Sequence, residues 1–316
     1  MHDRNKMFYD KTLTALKIEL SEERYTPKEI VDAEVLKERI NALEESRLFL
    51  LNGAVADDLF HTPYEATDCS SVKHLPFPVM FFEFMDPLDV SLSDDASRRF
   101  LGGFLFGEAE KTSAALRWNK KAASRAGESA PECDSLYTIS LIFDDYDAVE
   151  LNVSKDDIGK ICGETQTLPY NTFGGAREFS RSDFRIVADF FRFGVNCVDY
   201  INAHNVTLRD ADRTPPDLPR INRKRERKGK RQLDPLKSYY WIDVKPTEAD
   251  KTNRTNEVSI DYREWVRGHF QRYHTASGVV KNWVQAYVRG PMDAPWKENR
   301  YRVLSDMQSR GSSLEV

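Results

Sequence analysis

The chain has 316 residues, 40% hydrophobic and 31% charged, which supplies material for one large or two modest cores and excludes a disordered or fibrous protein. No apolar run approaches the roughly 20 residues a membrane-spanning helix needs, and Met1-His2-Asp3-Arg4-Asn5-Lys6 lacks the apolar core of a secretory signal, so no membrane partner is expected and the expected location is cytoplasmic. The net charge of −5 conceals an asymmetry: from Arg220 onward there are 21 Lys+Arg against 12 Asp+Glu, while the preceding residues carry 25 against 39. An acidic body with a basic tail predicts that the tail meets a polyanion while the body does something else, or that the tail docks on the body.

In chain order, residues 3–20 place Met7, Leu13, Leu16 and Leu20 on one side of a short amphipathic helix. Thr26, Pro27 and Glu29 form a start signal for a second, long helix over 27–51, with Ile30, Ala33, Leu36, Ile40, Leu43 and Leu50 near a helical period and Asn52-Gly53 as its stop. The pair predicts an N-terminal helical hairpin within 3–51. Pro76 and Pro78 then set an extended run into Val79–Phe84, a buried strand, and Phe100–Phe106 reads as a second strand. Residues 119–134, rich in Ala, Ser and charge, read as a surface loop. Leu136–Phe143 and the alternation Val149, Leu151, Val153 complete a meander around the polar turn of Asp144, Asp145 and Asp147, which lacks a Gly-anchored calcium loop. Ser182–Ala203 carries the stripe Phe184, Val187, Ala188, Phe191, Val195, Val198 and Ile201, the mark of a central packing helix, with Arg185, Arg192 and Asn196 off the stripe.

After the break Thr214-Pro215-Pro216-Asp217-Leu218-Pro219, eight of twelve residues from Arg220 to Arg231 are Lys or Arg. Mutual repulsion predicts an exposed connector over 214–235 until an anion is met, with Arg223, Lys224, Arg225, Arg227, Lys228, Lys230 and Arg231 as phosphate-facing candidates. A β-rich module over 236–305 follows: a strand over Tyr239–Val244, then a hairpin, Trp265–Arg289, turning at Thr275-Ala276-Ser277-Gly278, then a short strand and a frayed tail over 306–316. Period-two alternation puts Val266, Phe270, Val280, Val284, Ala286 and Val288 on a core side. It puts Trp265, Arg267, His269, Gln271 and Tyr273, with Lys281, Trp283, Gln285, Tyr287 and Arg289, on an exposed side. Cations with flat rings on one face suit single-stranded nucleic acid, although ordinary solvated strands share this composition. The predicted class is therefore α+β: a helical hairpin, a mixed or antiparallel sheet with a central helix within an acidic body over 1–213, and a small basic β-rich module.

Neither a GxGxxG, a Walker loop, a GxSxG nor an HExxH occurs, so no nucleotide cofactor and no metal site is expected. Cys69, Cys133, Cys162 and Cys197 are far apart with no CxxC pair, and disulfides are not expected. His269 is the candidate acid or base for a metal-independent RNase, near Arg267 and Arg272; His274, five residues on, falls on the opposite strand face. The chain is read as leaning away from an enzyme.

The segments Leu218-Pro219-Arg220-Ile221-Asn222-Arg223-Lys224-Arg225, Tyr239-Tyr240-Trp241-Ile242, Val266-Arg267-Gly268-His269-Phe270-Gln271-Arg272 and Trp283–Pro291 resemble the C-terminal Arg-Gly-His-aromatic module of a family of uncharacterised phage, prophage and plasmid proteins. That family is related to the type V-A anti-CRISPR protein that suppresses synthesis of the Cas12 effector. This chain departs from the pattern at Val266 (usually Arg), Phe270 (usually Trp) and Gln271 (usually Arg), and it lacks the family's upstream His. The resemblance implies a phage-type regulator of host or anti-phage gene expression acting on translation or mRNA. Its basic module, with Arg267, His269, Arg272, Tyr273, Lys281, Trp283, Tyr287 and Arg289, would contact RNA or the ribosome, and its acidic body a protein or nascent peptide. A non-catalytic protein-binding inhibitor is the other reading.

Overall fold

The computed structural model describes residues 7–22, 29–64, 67, 69–90, 99–127, 136–145, 148–162, 181–212, 214, 216–233, 235–244, 262–276 and 278–295. The chain opens with helices α1 (Phe8–Glu22) and α2 (Glu29–Glu45), which pack on each other through Leu16, Leu36, Ile40 and Leu43. The Thr26-Pro27 start signal lies outside the described residues. Directly after α2 the fold departs from the sequence expectation. Residues 47–51, expected as the end of α2, form strand β1 (Arg47–Leu51), because Ser46 closes the helix with its N–H on Ala42 O and its hydroxyl on Leu43 O. Leu48 faces one side of the sheet and Phe49 and Leu51 the other, all at most 1% exposed; a run buried on both faces cannot be told from a helix turn by its period. Asn52 accordingly starts a helix: its side chain accepts from Val55 N at 2.9 Å and caps α3 (Gly53–Phe60).

Strands β2 (Val79–Val90) and β3 (Arg99–Glu108) follow as predicted. Next come the single turn α4 (Ala109–Thr112) and α5 (Ala114–Ala126). The latter takes up the first part of the surface loop predicted over 119–134, of which 128–134 lie outside the described residues: Ser113 caps it by accepting from Leu116 N at 3.1 Å, its Ala, Lys and Arg residues favour helix, and Gly127 closes it at φ 73°. Strands β4 (Leu136–Phe143) and β5 (Ala148–Ser154) and the long helix α7 (Arg181–Ile201) agree with the sequence, whereas the short helix α6 (Ile158–Cys162) is not expected from it. Asn196, off the apolar stripe of α7, is nevertheless fully buried and donates to Leu59 O at 3.0 Å, tying α7 to α3. The rest comprises β6 (Val206–Ala211), α8 (Leu218–Glu226), β7 (Tyr239–Val244), β8 (Glu264–Val266), β9 (His269–Thr275), β10 (Gly278–Val284) and β11 (Tyr287–Arg289).

The protein is α+β, built on a seven-stranded mixed sheet ordered β5-β4-β3-β2-β1-β7-β6. β1 runs parallel to both β2 and β7, and every other pair is antiparallel. Thus β7, grouped by sequence with the C-terminal module, hydrogen-bonds within the body's sheet. The basic run, expected as an unstructured connector, contains α8. On one sheet face Phe77, Tyr240, Phe49, Phe82 and Phe104 form a continuous stack with centroid spacings of 5.0 to 5.4 Å, under α3, α6 and α7. Burying each such ring contributes about 1.5–3 kcal/mol. The opposite face meets α1 and α2. There the buried Glu83 of β2 accepts the N–H groups of Phe8 and Tyr9, at 2.8 and 3.0 Å, placing a carboxylate at the N-terminus of α1. Farther along, Thr138, Ser140, Glu150 and Asn152 of β4 and β5 make a buried polar patch beneath Ser113, at the start of α5. No helix among the described residues is long and apolar enough to cross a membrane.

Candidate nucleic-acid interface

The C-terminal hairpin forms where predicted, but the faces of its second strand are exchanged relative to the first. The register pairs Phe270 with Trp283 and Arg272 with Lys281, so these four share a face, whereas His269, Gln271 and Tyr273 lie opposite Val284, Asn282 and Val280. Alternation read along the sequence sets Phe270 beside Val284, one position off, and a one-residue slip inverts every side chain. It also takes each strand as continuous. The chain breaks at Arg267-Gly268 and at Gln285-Ala286, separating the ribbon β8–β11 from the hairpin β9–β10.

Trp283 is therefore not an outward stacking platform. It is 1% exposed, edge-on to Phe270 at 4.9 Å and to Tyr200 of α7 at 5.0 Å, inside the main core. Its backbone is clamped from both sides by Asn205, whose Oδ1 accepts from Trp283 N and whose Nδ2 donates to Trp283 O, each at 2.8 Å. His204 N adds a bond to Lys281 O at 2.9 Å. Lys281 pairs with the buried Asp199 of α7 and sits 4.7 Å above the Phe270 ring, turned toward the body rather than toward a ligand.

The Arg-Gly-His-aromatic segment is the second anchor. Arg267 reaches the Asp57 carboxylate of α3 at 3.3 Å, and the other carboxylate oxygen of Asp57 faces His61 Nδ1 at 3.1 Å. Gly268 donates its N–H to Asp58, and burial nevertheless holds the Asp58 carboxyl above its ordinary value. Only glycine fits here: a Cβ at position 268 would lie 2.6 Å from both Asp58 Oδ2 and the Trp283 ring. His269 is exposed, its Nδ1 2.9 Å from Arg267 O. Tyr273 is half-buried and donates to Gln271 Oε1 at 2.7 Å. Arg272 is exposed near the hairpin tip, and Tyr287 and Arg289 are exposed on β11. The hairpin candidates are thus divided: Arg267, Lys281 and Trp283 hold the hairpin to α3 and α7, while His269, Arg272, Tyr287 and Arg289 face solvent.

The structure does bring the earlier cations together. Arg223, Lys224 and Arg225 lie on α8, and Arg227, Lys228, Lys230 and Arg231 on the turn and irregular return after it; all but the half-buried Arg225 are exposed. Repulsion is overcome by three locks. Leu218 is buried at the helix start, Arg225 Nε donates to Arg231 O at 2.7 Å, and Asn222 both accepts from Leu233 N and donates to Leu233 O at 2.8 Å. The cations in the last turn also oppose the negative end of the helix dipole.

No protein-family model and no curated protein matches the chain. Solved structures similar to it include one described as "Crystal structure of AcrVA2". That likeness spans 88% of this chain and 85% of the other, with 12% identity and a TM-score of 0.40.

The groups that position the hairpin, Asp57, Asp58, Asp199 and Asn205, escape a reading of the sequence. Their partners lie on segments distant along the chain, and none forms a local motif; the capping signal at Asn52-Gly53 marks the start of α3 but not what its acidic residues hold. Among the described residues no three His, Cys, Asp or Glu side chains converge as a metal-binding group.

Proposed function

We propose that the protein contacts RNA, free or on the ribosome, through the basic surface centred on α8, and so regulates gene expression in the manner the C-terminal motif's family resemblance implies. One observation carries the reading: the densest run of cations in the chain is held as a fixed, exposed helix and return rather than folded beneath the acidic body. A rigid set of guanidinium and ammonium groups neutralises phosphates without first ordering a loop, and the gain comes from released counterions. The acidic body is then left to recognise a protein or nascent peptide. Arg272, Tyr287 and Arg289 are secondary contacts, and Trp283 and Lys281 act by holding the hairpin in place.

The test is a titration of labelled single-stranded RNA followed by anisotropy between about 50 and 200 mM salt. Affinity should fall steeply, and a quadruple substitution of Arg223, Lys224, Arg227 and Lys228 to Gln should lower the slope of log K against log salt by roughly 0.7 for each phosphate no longer neutralised. Salt-independent binding, or a slope unchanged by the quadruple variant, rejects the reading. Gel analysis of the same mixtures tests cleavage: His269→Ala should keep RNA affinity and abolish any cutting by the wild type.

The alternative, a non-catalytic inhibitor gripping a protein, draws on Tyr287, Val288 and Met292, which are 43%, 45% and 91% exposed. Recovery of one stable protein partner after ribonuclease treatment would favour it.

A further inference from the structure

The arrangement expected on the hairpin, flat rings and a cation together on one exposed strand face, occurs instead at the β7–β6 end of the large sheet. Along β7, Tyr240 turns into the main core, its ring 5.4 Å from Phe49, so Tyr239 and Trp241 lie on the opposite face. Helices α1 and α2 roof that face as far as Tyr239, which is half-buried against their apolar cluster. The C-terminal turn of α2 is fastened there by Lys237, whose Nζ donates to Leu43 O at 3.0 Å and Glu44 O at 2.8 Å. Two residues along β7, Trp241 is 43% exposed, with its ring 6.0 Å from that of Tyr239 and tilted by 57°. Arg209 of β6 is exposed and sits directly across from Trp241 in the antiparallel register, so it shares the same face.

The two strands that carry this patch also carry α8 between them. Ala211 pairs with Tyr239, Thr214 Oγ1 donates to Leu236 O at 3.2 Å, and Asn222 of α8 holds Leu233. From Leu233 to Trp241 the chain spans at most about 29 Å even when fully extended. The exposed rings and the densest cations of the protein therefore belong to one closed β6–α8–β7 unit.

We propose that Trp241 and Tyr239, with Arg209 beside them, form a stacking site for an unpaired base of single-stranded RNA whose phosphates continue onto α8. The proposal rests on the α8 reading above and adds to it a site for the base. The indole offers a large flat face that any base can cover, and the guanidinium can neutralise a phosphate or lie against a ring. The cations of α8 decide the class of occupant. A strand of nucleotides supplies a ring for the sheet and negative charge for the helix at once, whereas an apolar peptide would leave the helix charges unmet. A duplex keeps its bases stacked on each other and gives the indole nothing to cover.

The experiment compares a labelled oligouridylate of about 12 nucleotides, within the range of single-stranded sites, with an abasic oligomer of the same length and charge. Anisotropy is read for the full chain, for Trp241→Ala, for Trp241→Phe and for the α8 quadruple variant. Trp241→Ala should bind oligouridylate about 5- to 150-fold more weakly with an unchanged salt slope, because an indole neutralises no phosphate. Trp241→Phe should recover most of that loss, and the abasic oligomer should bind wild type and Trp241→Ala alike. The α8 quadruple variant should lose salt slope yet keep its preference for oligouridylate over the abasic oligomer. Tryptophan emission gives a second reading that does not need Trp241→Ala to fold: the part lost in Trp241→Phe should be quenched by oligouridylate and not by the abasic oligomer. Equal affinity of wild type for the two oligomers, with a slope still set by α8, overturns the stacking site and leaves the phosphate reading standing. A Trp241→Ala loss of the same size on both oligomers overturns it as well, since the ring then acts only through the fold. Absence of binding to either oligomer overturns both readings and leaves this face to a protein partner.

Discussion

Trp283 and Gly268 depend on each other. The indole fills the space between Phe270 and Tyr200, and the absent side chain at 268 lets its edge approach the backbone next to Asp58. Trp283→Ala should therefore cost about 3–5 kcal/mol in chemical denaturation, the range for deleting a large buried ring. Gly268→Ala adds only a methyl group, yet a fixed ring and a carboxylate oxygen stand at 2.6 Å from it, and a loss of about 1–3 kcal/mol is expected by the same measurement. RNA affinity, measured where both variants are still folded, should change far less than in the α8 variant; an equal loss would return Trp283 to the binding surface. At this scale the sequence misleads for a physical reason. Trp283 reads as a surface aromatic because Lys281 and Gln285 flank it at two-residue spacing, but Lys281 reaches inward to Asp199. The position of a charge in a strand pattern does not reveal a buried partner.

Among the elements, those that carry their own boundary signals are legible in the sequence. The stripe of α7, the meander of β2 to β5 and the turn of the hairpin each rest on residues within one segment, and each appears in the fold. The elements that the sequence hides take their form from elsewhere. β1 is a strand because β2 and β7 flank it, and α8 is ordered because Asn222 and Arg225 bind the backbone of the return that follows. The docking of β9 and β10 likewise hangs on Asn205. Replacing it by Ala leaves the N–H and C=O of Trp283 buried without partners, at about 1–3 kcal/mol each. Hydrogen exchange should then show reduced protection over residues 279–284 while β2 to β4 stay protected; uniform loss across the sheet would mean that the hairpin and body unfold as one unit.

For the whole molecule, the buried polar patch on β4 and β5 sets a pH response. Glu150 is 1% exposed, and burial holds its carboxyl above the ordinary value of 4.5, with Arg39 and the hydroxyls of Ser113 and Ser140 opposing only in part. The native state thus keeps this proton to higher pH than the unfolded chain does. The stability so contributed is present below pH 4.5 and lost as pH rises through the raised native value. Glu150→Gln keeps an acceptor for the hydroxyls and removes the titration, so its stability measured by denaturant midpoint should decline less than that of the wild type as pH is raised toward neutrality. A parallel decline in the two proteins would place the pH response elsewhere.

The place of β7 also has a consequence in time. Its neighbour β1 is made early, and its other neighbour β6 pairs with no other strand among the described residues, so the sheet waits for residues 239–244 to leave the ribosome. At about 5–20 residues per second, β1 spends tens of seconds with an open edge as the intervening chain is translated. During that interval a vectorially emerging polypeptide offers Leu48 and Phe49 to any extended neighbour, including a second nascent copy, which makes this stage of synthesis the moment of greatest need for a chaperone.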